Sequence, residues 1–199
     1  MELIQENPQL AAYLAEGEAV DHGHPSIRRE VERLGVEAPD AYIYARAAYE
    51  FVRDAVPHSQ DSGDLRVTWR ASDVLALRTG ICHAKAHLAA ALLRAAGIPT
   101  ALCYQRLTLG DGPAEGCAVH GLIAVWLDGA WRHQDVRGNK PGVDARFSLG
   151  GERLAWIPRK EFSELDYPVL YGEPCAAVLD ALKAAPDRPT LWKSLPDAL

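Results

Sequence analysis

The chain has 199 residues, enough for one domain with a substantial core, and its 48% hydrophobic and 24% charged content is that of a globular protein. A net charge of −6 without a dense Lys/Arg run argues against a nucleic-acid partner, and no apolar run approaches the ~20 residues of a membrane span. The opening MELIQENPQL lacks a basic n-region and a long apolar h-region, so no signal peptide is expected; the four cysteines form no CxxC pair, which fits a reducing cytoplasm.

In chain order, Asn7-Pro8 is a cap-and-first-turn pair that opens a short helix to about Glu16. Pro25 opens a second helix, with Ile27, Val31 and Leu34 on one face and Gly35 closing it. Asp40 caps a longer helix over residues 41–56, stopped by Pro57. Its expected apolar face is Ile43, Ala47, Phe51 and Val52, with Arg46, Glu50 and Arg53 left for solvent. Residues 58–71 have the Ser, Asp and Gly content of a loop, one that would border any site at the start of the next helices.

The stretch SDVLALRTGICHAKAHLAAALLRAAGIP, residues 72–99, reads as two consecutive helices. The first is capped by Ser72 and ends before Gly80; the second runs from near Cys82 to Gly97, with Pro99 beyond it. Cys82, Ala86, Ala89, Leu93 and Ala96 form one apolar stripe, and Leu88, Leu92 and Ala95 a second, so this is a central, buried helix. His83, His87 and Arg94 make a narrow polar face, expected to be partly exposed, and Lys85 stands alone in the first turn.

After Pro99 the period falls to two, and strands are expected at 100–109, 117–127 and 130–136, with the loop LGDGPAEG between the first two. Asp128-Gly129 is a two-residue hairpin signal, and RGNKPG (137–142) a turn-rich loop. Beyond that loop the chain is irregular until a helix over 174–185, and Leu191, Trp192 and Leu195 are expected to dock on the body. With no repeat or linker, residues 1–199 read as one domain.

Cys82 falls in the first turn of the central helix, where unpaired backbone N–H groups and the macrodipole favour a thiolate; a buried free cysteine can equally be a small core hydrophobe. If Asp128-Gly129 is the whole turn, His120 lies opposite Arg137 and Leu122 opposite Asp135, making His120 and Asp135 diagonal neighbours on one face. A carboxylate-oriented imidazole is what a thiol nucleophile needs as base and acid.

The order Cys82, His120, Asp135, with TGIC, the helix ending AAGIPT and the segment VHGLIAVWLDGAWRHQDV, resembles the transglutaminase-like superfamily. The resemblance covers about residues 72–136, and the helix at 41–56 is similar to the family's preceding one; YQRL and RGNKPGVDARF are similar to a bacterial subgroup. It implies an α+β, papain-like core at about 41–147, with extra N-terminal helices around a Cys-bearing central helix on an antiparallel sheet. Cys82, His120 and Asp135 would be the catalytic triad of a cysteine-dependent amide or peptide hydrolase or acyl transferase working through a thioester. A small chain without added sandwich domains leans towards hydrolysis, and the alternative is a non-catalytic binding or interaction module on the same fold. The chain departs from the family at Leu122, where many relatives have an aromatic, and at Val136-Arg137-Gly138, which replaces a proline-containing turn; both positions are expected near the acyl-binding cleft.

The backbone N–H of Cys82 is the natural first oxyanion donor, and Gln105 is either the second or a structural sheet residue. Arg137 either meets a substrate carboxylate beside His120 or pairs with Asp135 or Asp144. His83 and His87, four apart, lack the carboxylate of an HExxH pair, so no metal is expected, and no cofactor either. His133 shares a face with Asp135 and could compete for it, His58 is a loop residue that could touch the site, and His22 and His24 read as surface residues. Cys103, Cys117 and Cys175 read as core or half-buried thiols, and Trp126 and Trp131 face one another across the hairpin. The expected partner is a peptide or amide, including those carried on proteins, with no nucleic acid and no membrane.

Overall fold

The computed structural model describes residues 2–110 and 115–199, so residues 111–114 of the loop expected at 109–116 lie outside the described residues. Strand β1 (Ile4–Gln5) and a 3-10 turn (Leu10–Leu14) lead into helices α1 (Pro25–Gly35), α2 (Ala41–Ala55), α3 (Ser59–Ser62), α4 (Ala71–Leu77) and α5 (Cys82–Ala95). Strands β2 (Thr100–Thr108), β3 (Cys117–Leu127) and β4 (Ala130–Gln134) come next, then β5 (Leu165–Asp166), β6 (Val169–Leu170), α6 (Ala176–Ala184) and α7 (Arg188–Ser194). The main sheet is antiparallel in the order β4-β3-β2-β5, and β1 pairs in parallel with β6.

The fold is α+β, with α5 sandwiched between the sheet and a layer formed by α1, α2 and α4. Every side chain from Cys82 to Arg94 is buried. Leu88 and Leu92 share one buried cluster with Ile123 and Val125 of β3 and with Tyr44, Ala48 and Tyr49 of α2. The alanines between them let backbones approach closely, which is why a helix so poor in large side chains can sit at the centre.

Several expectations need correction. The polar face of α5 is not exposed: His83, Lys85, His87 and Arg94 are all at most 3% accessible. Most of their polar ends are met by backbone carbonyls from distant segments. His87 Nδ1 donates to Trp69 O (2.7 Å), Lys85 Nζ to Arg53 O (3.2 Å) and Val56 O (2.5 Å), and Arg94 to Thr100, Ala15 and Gly172 carbonyls. In α2 the buried face is Tyr44, Ala45, Ala48, Tyr49 and Val52, while Ile43 is exposed and Arg53 reaches back to Ala145 O. Asp40 does cap α2, accepting from Ile43 N at 2.8 Å.

Ser72 is not the cap of α4. Arg70 holds that position, and the Ser72 amide and hydroxyl both donate to Asp21, which serves the first turn from a remote loop. The helix ends at Arg78, in the left-handed region at φ 51°, leaving Gly80 to bridge to His58. Asn7-Pro8 leads to the 3-10 turn only, and residues 58–71 contain the short helix α3. The C-terminal residues dock as expected: Leu191 is fully buried against Val178, Leu182 and Val119, and Val119 N donates to Pro196 O.

Candidate active site

Asp128 (φ 52°) and Gly129 (φ 75°) both lie in the left-handed region, as a type I′ hairpin turn requires. Pairing runs from Leu127↔Ala130 to Ile123↔Gln134, the register expected from the turn. Trp126 and Trp131 stack edge-on at 5.5 Å. Just beyond the ladder, His120 Nε2 lies 2.9 Å from Asp135 Oδ2.

Asp135 is wholly buried, yet each oxygen has a donor. Oδ1 accepts from Arg137 N (2.9 Å), Oδ2 also accepts from Ala155 N (3.1 Å), and its backbone carbonyl accepts from Tyr49 OH (2.8 Å). Burial raises its pKa, but His120 and these backbone N–H groups outweigh burial and hold the carboxyl below its ordinary value. The carboxylate therefore stays ionised and fixed, and it orients the ring.

Cys82 is the first residue of α5. Strand β3 can approach that turn because residue 121 is glycine: a Cβ there would lie 2.7 Å from His83 Cδ2 and 2.9 Å from His83 Cα. The approach brings Gly121 N and His83 Nδ1 each to 3.5 Å from Cys82 Sγ. Burial pushes the thiol pKa up, but the electrostatic influence of His83, His120 and His58 outweighs it and holds the thiol well below its ordinary value. For His120, burial lowers the pKa while Asp135 and Cys82 raise it, the balance lying at about 10. With Nε2 committed to Asp135, Nδ1 is the nitrogen left for the sulfur.

Cys82, His120, His58, Arg137, Lys140, Trp156 and Trp192 are among the residues lining one cleft of about 600 Å³. The Trp156 ring stands edge-on to His120 at 5.1 Å. Arg137 does line the cleft, but its guanidinium pairs with neither Asp135 nor Asp144: it forks onto Asp61 and lies over Trp156 at 5.2 Å. Lys140 shares the same carboxylate at 3.2 Å. Gln105 sits opposite His120 on β2, but its amide nitrogen donates to Asp166 (2.7 Å) and the side chain is not part of the cleft wall. Leu122 packs on the other sheet face with Cys103 and Trp131 and does not border the cleft as expected; of the segment Val136-Arg137-Gly138, Val136 lies in the core while Arg137 lines the cleft.

His133 does not compete for Asp135; its Nδ1 meets Glu152 at 2.8 Å. His87 is held neutral by burial, with a pKa of about 4, and is turned to a carbonyl. His24 caps α1 and His22 meets Leu14 O. Cys103 is buried and its thiol pushed well above the ordinary value, while Cys117 and Cys175 are half-buried. Among the described residues no cluster of three or more His, Cys, Asp or Glu could hold a metal ion.

Asp61, Ala155 and Trp156 were not visible as site residues in the sequence. They come from a short loop helix and an irregular stretch, where no periodicity marks an inward face. The spacing of His58 to Gln60 was the one available signal, since a side-chain acceptor followed two residues later by a free N–H is a capping pattern.

A cysteine at the head of a helix, packed on an antiparallel sheet that carries His and Asp on adjacent strands, is the arrangement of the papain-like folds. The chain belongs to the transglutaminase-like superfamily, whose model matches residues 31–136, more than half of the sequence. Among solved structures it is similar to a candidate cysteine protease from Cytophaga hutchinsonii, at 18% identity and a TM-score of 0.53, over 66% of this chain and 43% of that one. A candidate protease from Parabacteroides distasonis is similar at 16% identity and a TM-score of 0.41, over 62% and 24% of the two chains. The chain thus spans less than half the length of either solved protein. No curated protein matches it. No helix among the described residues is long and apolar enough to cross a membrane.

Proposed function

We propose that the protein is a cysteine-dependent amide or peptide hydrolase that works through a Cys82 thioester. The observation that carries this reading is a cysteine at the head of a buried helix sharing one cleft wall with an Asp135-bound imidazole. The Cys82 thiolate attacks the carbonyl carbon, forming the S–C bond while the π pair moves to oxygen. As the tetrahedral species collapses, the C–N bond breaks and the His120 Nδ1 proton passes to the leaving nitrogen. Water then attacks the thioester, neutral His120 takes its proton, and the C–S bond breaks to return the thiolate and the imidazolium. Asp135 holds the ring and its charge throughout without taking a proton. Hydrolysis is the direction we adopt; an amine in place of water would give acyl transfer by the same first half-reaction. The substrate class is a peptide or amide chain able to lie between Trp156 and Trp192.

The test is labelling with a peptidyl acyloxymethyl ketone, followed by mass spectrometry of the digested protein. Modification should fall on the Cys82 peptide, vanish in Cys82→Ala and slow markedly in His120→Ala. Labelling spread over Cys103, Cys117 and Cys175, with no preference for Cys82, would remove the catalytic reading and leave an interaction module.

A further inference from the structure

A further imidazole lines the cleft beside the reacting sulfur without a part in the proton transfers. His58 is 6% exposed and lies on the cleft wall. Its backbone bridges to Gly80, with Ser59 N donating to Gly80 O at 3.0 Å, which ties it to the turn two residues ahead of Cys82. His58 and Cys82 line the same cleft, and the thiol pulls the His58 pKa upward, so the ring stands within electrostatic reach of the sulfur.

The protonation of this ring is set by its other bond. His58 Nδ1 lies 3.2 Å from the backbone N of Gln60, and a backbone N–H can only donate. Nδ1 therefore carries no hydrogen, and the single proton of the neutral ring sits on Nε2. Burial, with Arg137 and Lys85 nearby, holds the ring below its ordinary pKa despite the pull of Cys82. A neutral imidazole fixed in this tautomer can donate at Nε2 and cannot accept there. His58 is thus the opposite of His120, which is charged and gives its proton away.

We propose that His58 Nε2–H is a catalytic hydrogen-bond donor to the acyl oxygen, forming the oxyanion site together with the backbone N–H of Cys82. The role rests on the thioester reading above. When Sγ attacks, the carbonyl π pair moves to oxygen and the new negative charge receives the His58 hydrogen bond; the N–H bond stays intact and no proton is transferred. Gln105, the other candidate for this role, turns its amide to Asp166 and does not line the cleft. Because His58 is neutral, its N–H stabilises the oxyanion without competing with His120 as acid.

The test compares two reactions of the same thiol. Acylation by p-nitrophenyl acetate passes through an oxyanion, whereas alkylation by iodoacetamide does not. His58→Phe keeps an aromatic side chain and removes the donor, together with the Nδ1 acceptor for Gln60 N: acylation should fall by ~10²–10³-fold, while alkylation on its high-pH plateau stays at the parent rate. His58→Gln, which restores an amide donor, should recover part of the acylation. Equal losses in both reactions, or parent-rate acylation in His58→Phe, would overturn the role. If the parent protein itself takes up no acetyl group at Cys82, the thioester reading falls first. Independently of any variant, nitrogen-15 histidine spectra of the parent should show His58 neutral with its proton on Nε2 at pH 6–8, below and above the ordinary ~6.5. An imidazolium, or a proton on Nδ1, would overturn the proposal even if the variants failed to fold.

Discussion

Replacing Asp135 by Asn keeps the side-chain shape and removes its charge. In the parent, one oxygen faces Arg137 N and the other faces both Ala155 N and His120 Nε2, so every neighbour of the carboxylate is a donor. An amide can accept on only one side; its NH₂ must oppose either Arg137 N–H or the Ala155–His120 pair. A buried charge-assisted hydrogen bond contributes about 1.5–3 kcal/mol. At 1.36 kcal/mol per pKa unit, His120 should therefore fall by about 1–2 pH units. Starting from about 10, the imidazolium would be lost near the upper end of the range in which the parent still holds it. Stability should track the same titration. The folded His120 pKa lies above its ordinary 6.5, so its ion pair stabilises fully below pH 6.5 and is lost as pH rises towards about 10. The melting-temperature gap between parent and Asp135→Asn should accordingly be widest below pH 6.5 and narrow on the alkaline side. The assay is a histidine nuclear magnetic resonance titration of the parent, Asp135→Asn, Asp128→Asn and Asp144→Asn. Asp128 sits in the turn and Asp144 is an exposed partner of Arg146, so those two variants should titrate like the parent. An Asp135→Asn curve that superimposes on the parent, or a shift in Asp144→Asn instead, would refute the reasoning.

At pH 6, iodoacetamide should modify Cys82 first and Cys103 last, because charge and hydrogen bonding depress the first thiol while burial raises the second; peptide mapping of a time course checks the order. Gly121→Ala should cost about 1–3 kcal/mol in urea unfolding, since its Cβ would fall 2.7 Å from His83 Cδ2 and the facing atoms belong to a packed helix. Unchanged stability there would mean that β3 does not press on the first turn of α5. Lys85, with a pKa of about 7 against an ordinary 10.5, carries its full burial cost below pH 7 and none above 10.5. The parent should therefore gain stability relative to Lys85→Met as pH rises through that window, and a pH-independent difference would count against a charged, buried lysine.

Where a regular period and a defined turn coincide, the sequence was informative. The alanine-rich run from Cys82 marked a central helix, and Asp128-Gly129 set a register that brings His120 to Asp135. The same pattern logic failed on α2, because its tyrosines pack inward by ring and bond outward by hydroxyl: Tyr49 OH reaches Asp135 O and Tyr44 OH reaches Leu92 O. It failed again for Lys85 and Arg94, whose charges are buried against carbonyls from α2, the N-terminal segment and the residues after β6. Such partners are remote in the chain and are backbone atoms, so no residue type announces them. Asp61 lies in a four-residue helix and Arg137 and Trp156 in irregular segments, where position depends on tertiary packing.

The central claim is that an acyl group passes through Cys82. Its most direct test is to mix the protein with excess p-nitrophenyl acetate, quench in acid within the first turnover and measure the intact mass and the labelled peptide. One acetyl adduct is predicted on the Cys82 peptide, discharged by hydroxylamine, absent in Cys82→Ala and slow to form in His120→Ala. An adduct that persists in Cys82→Ala at the parent rate, or none in the parent, would contradict the claim.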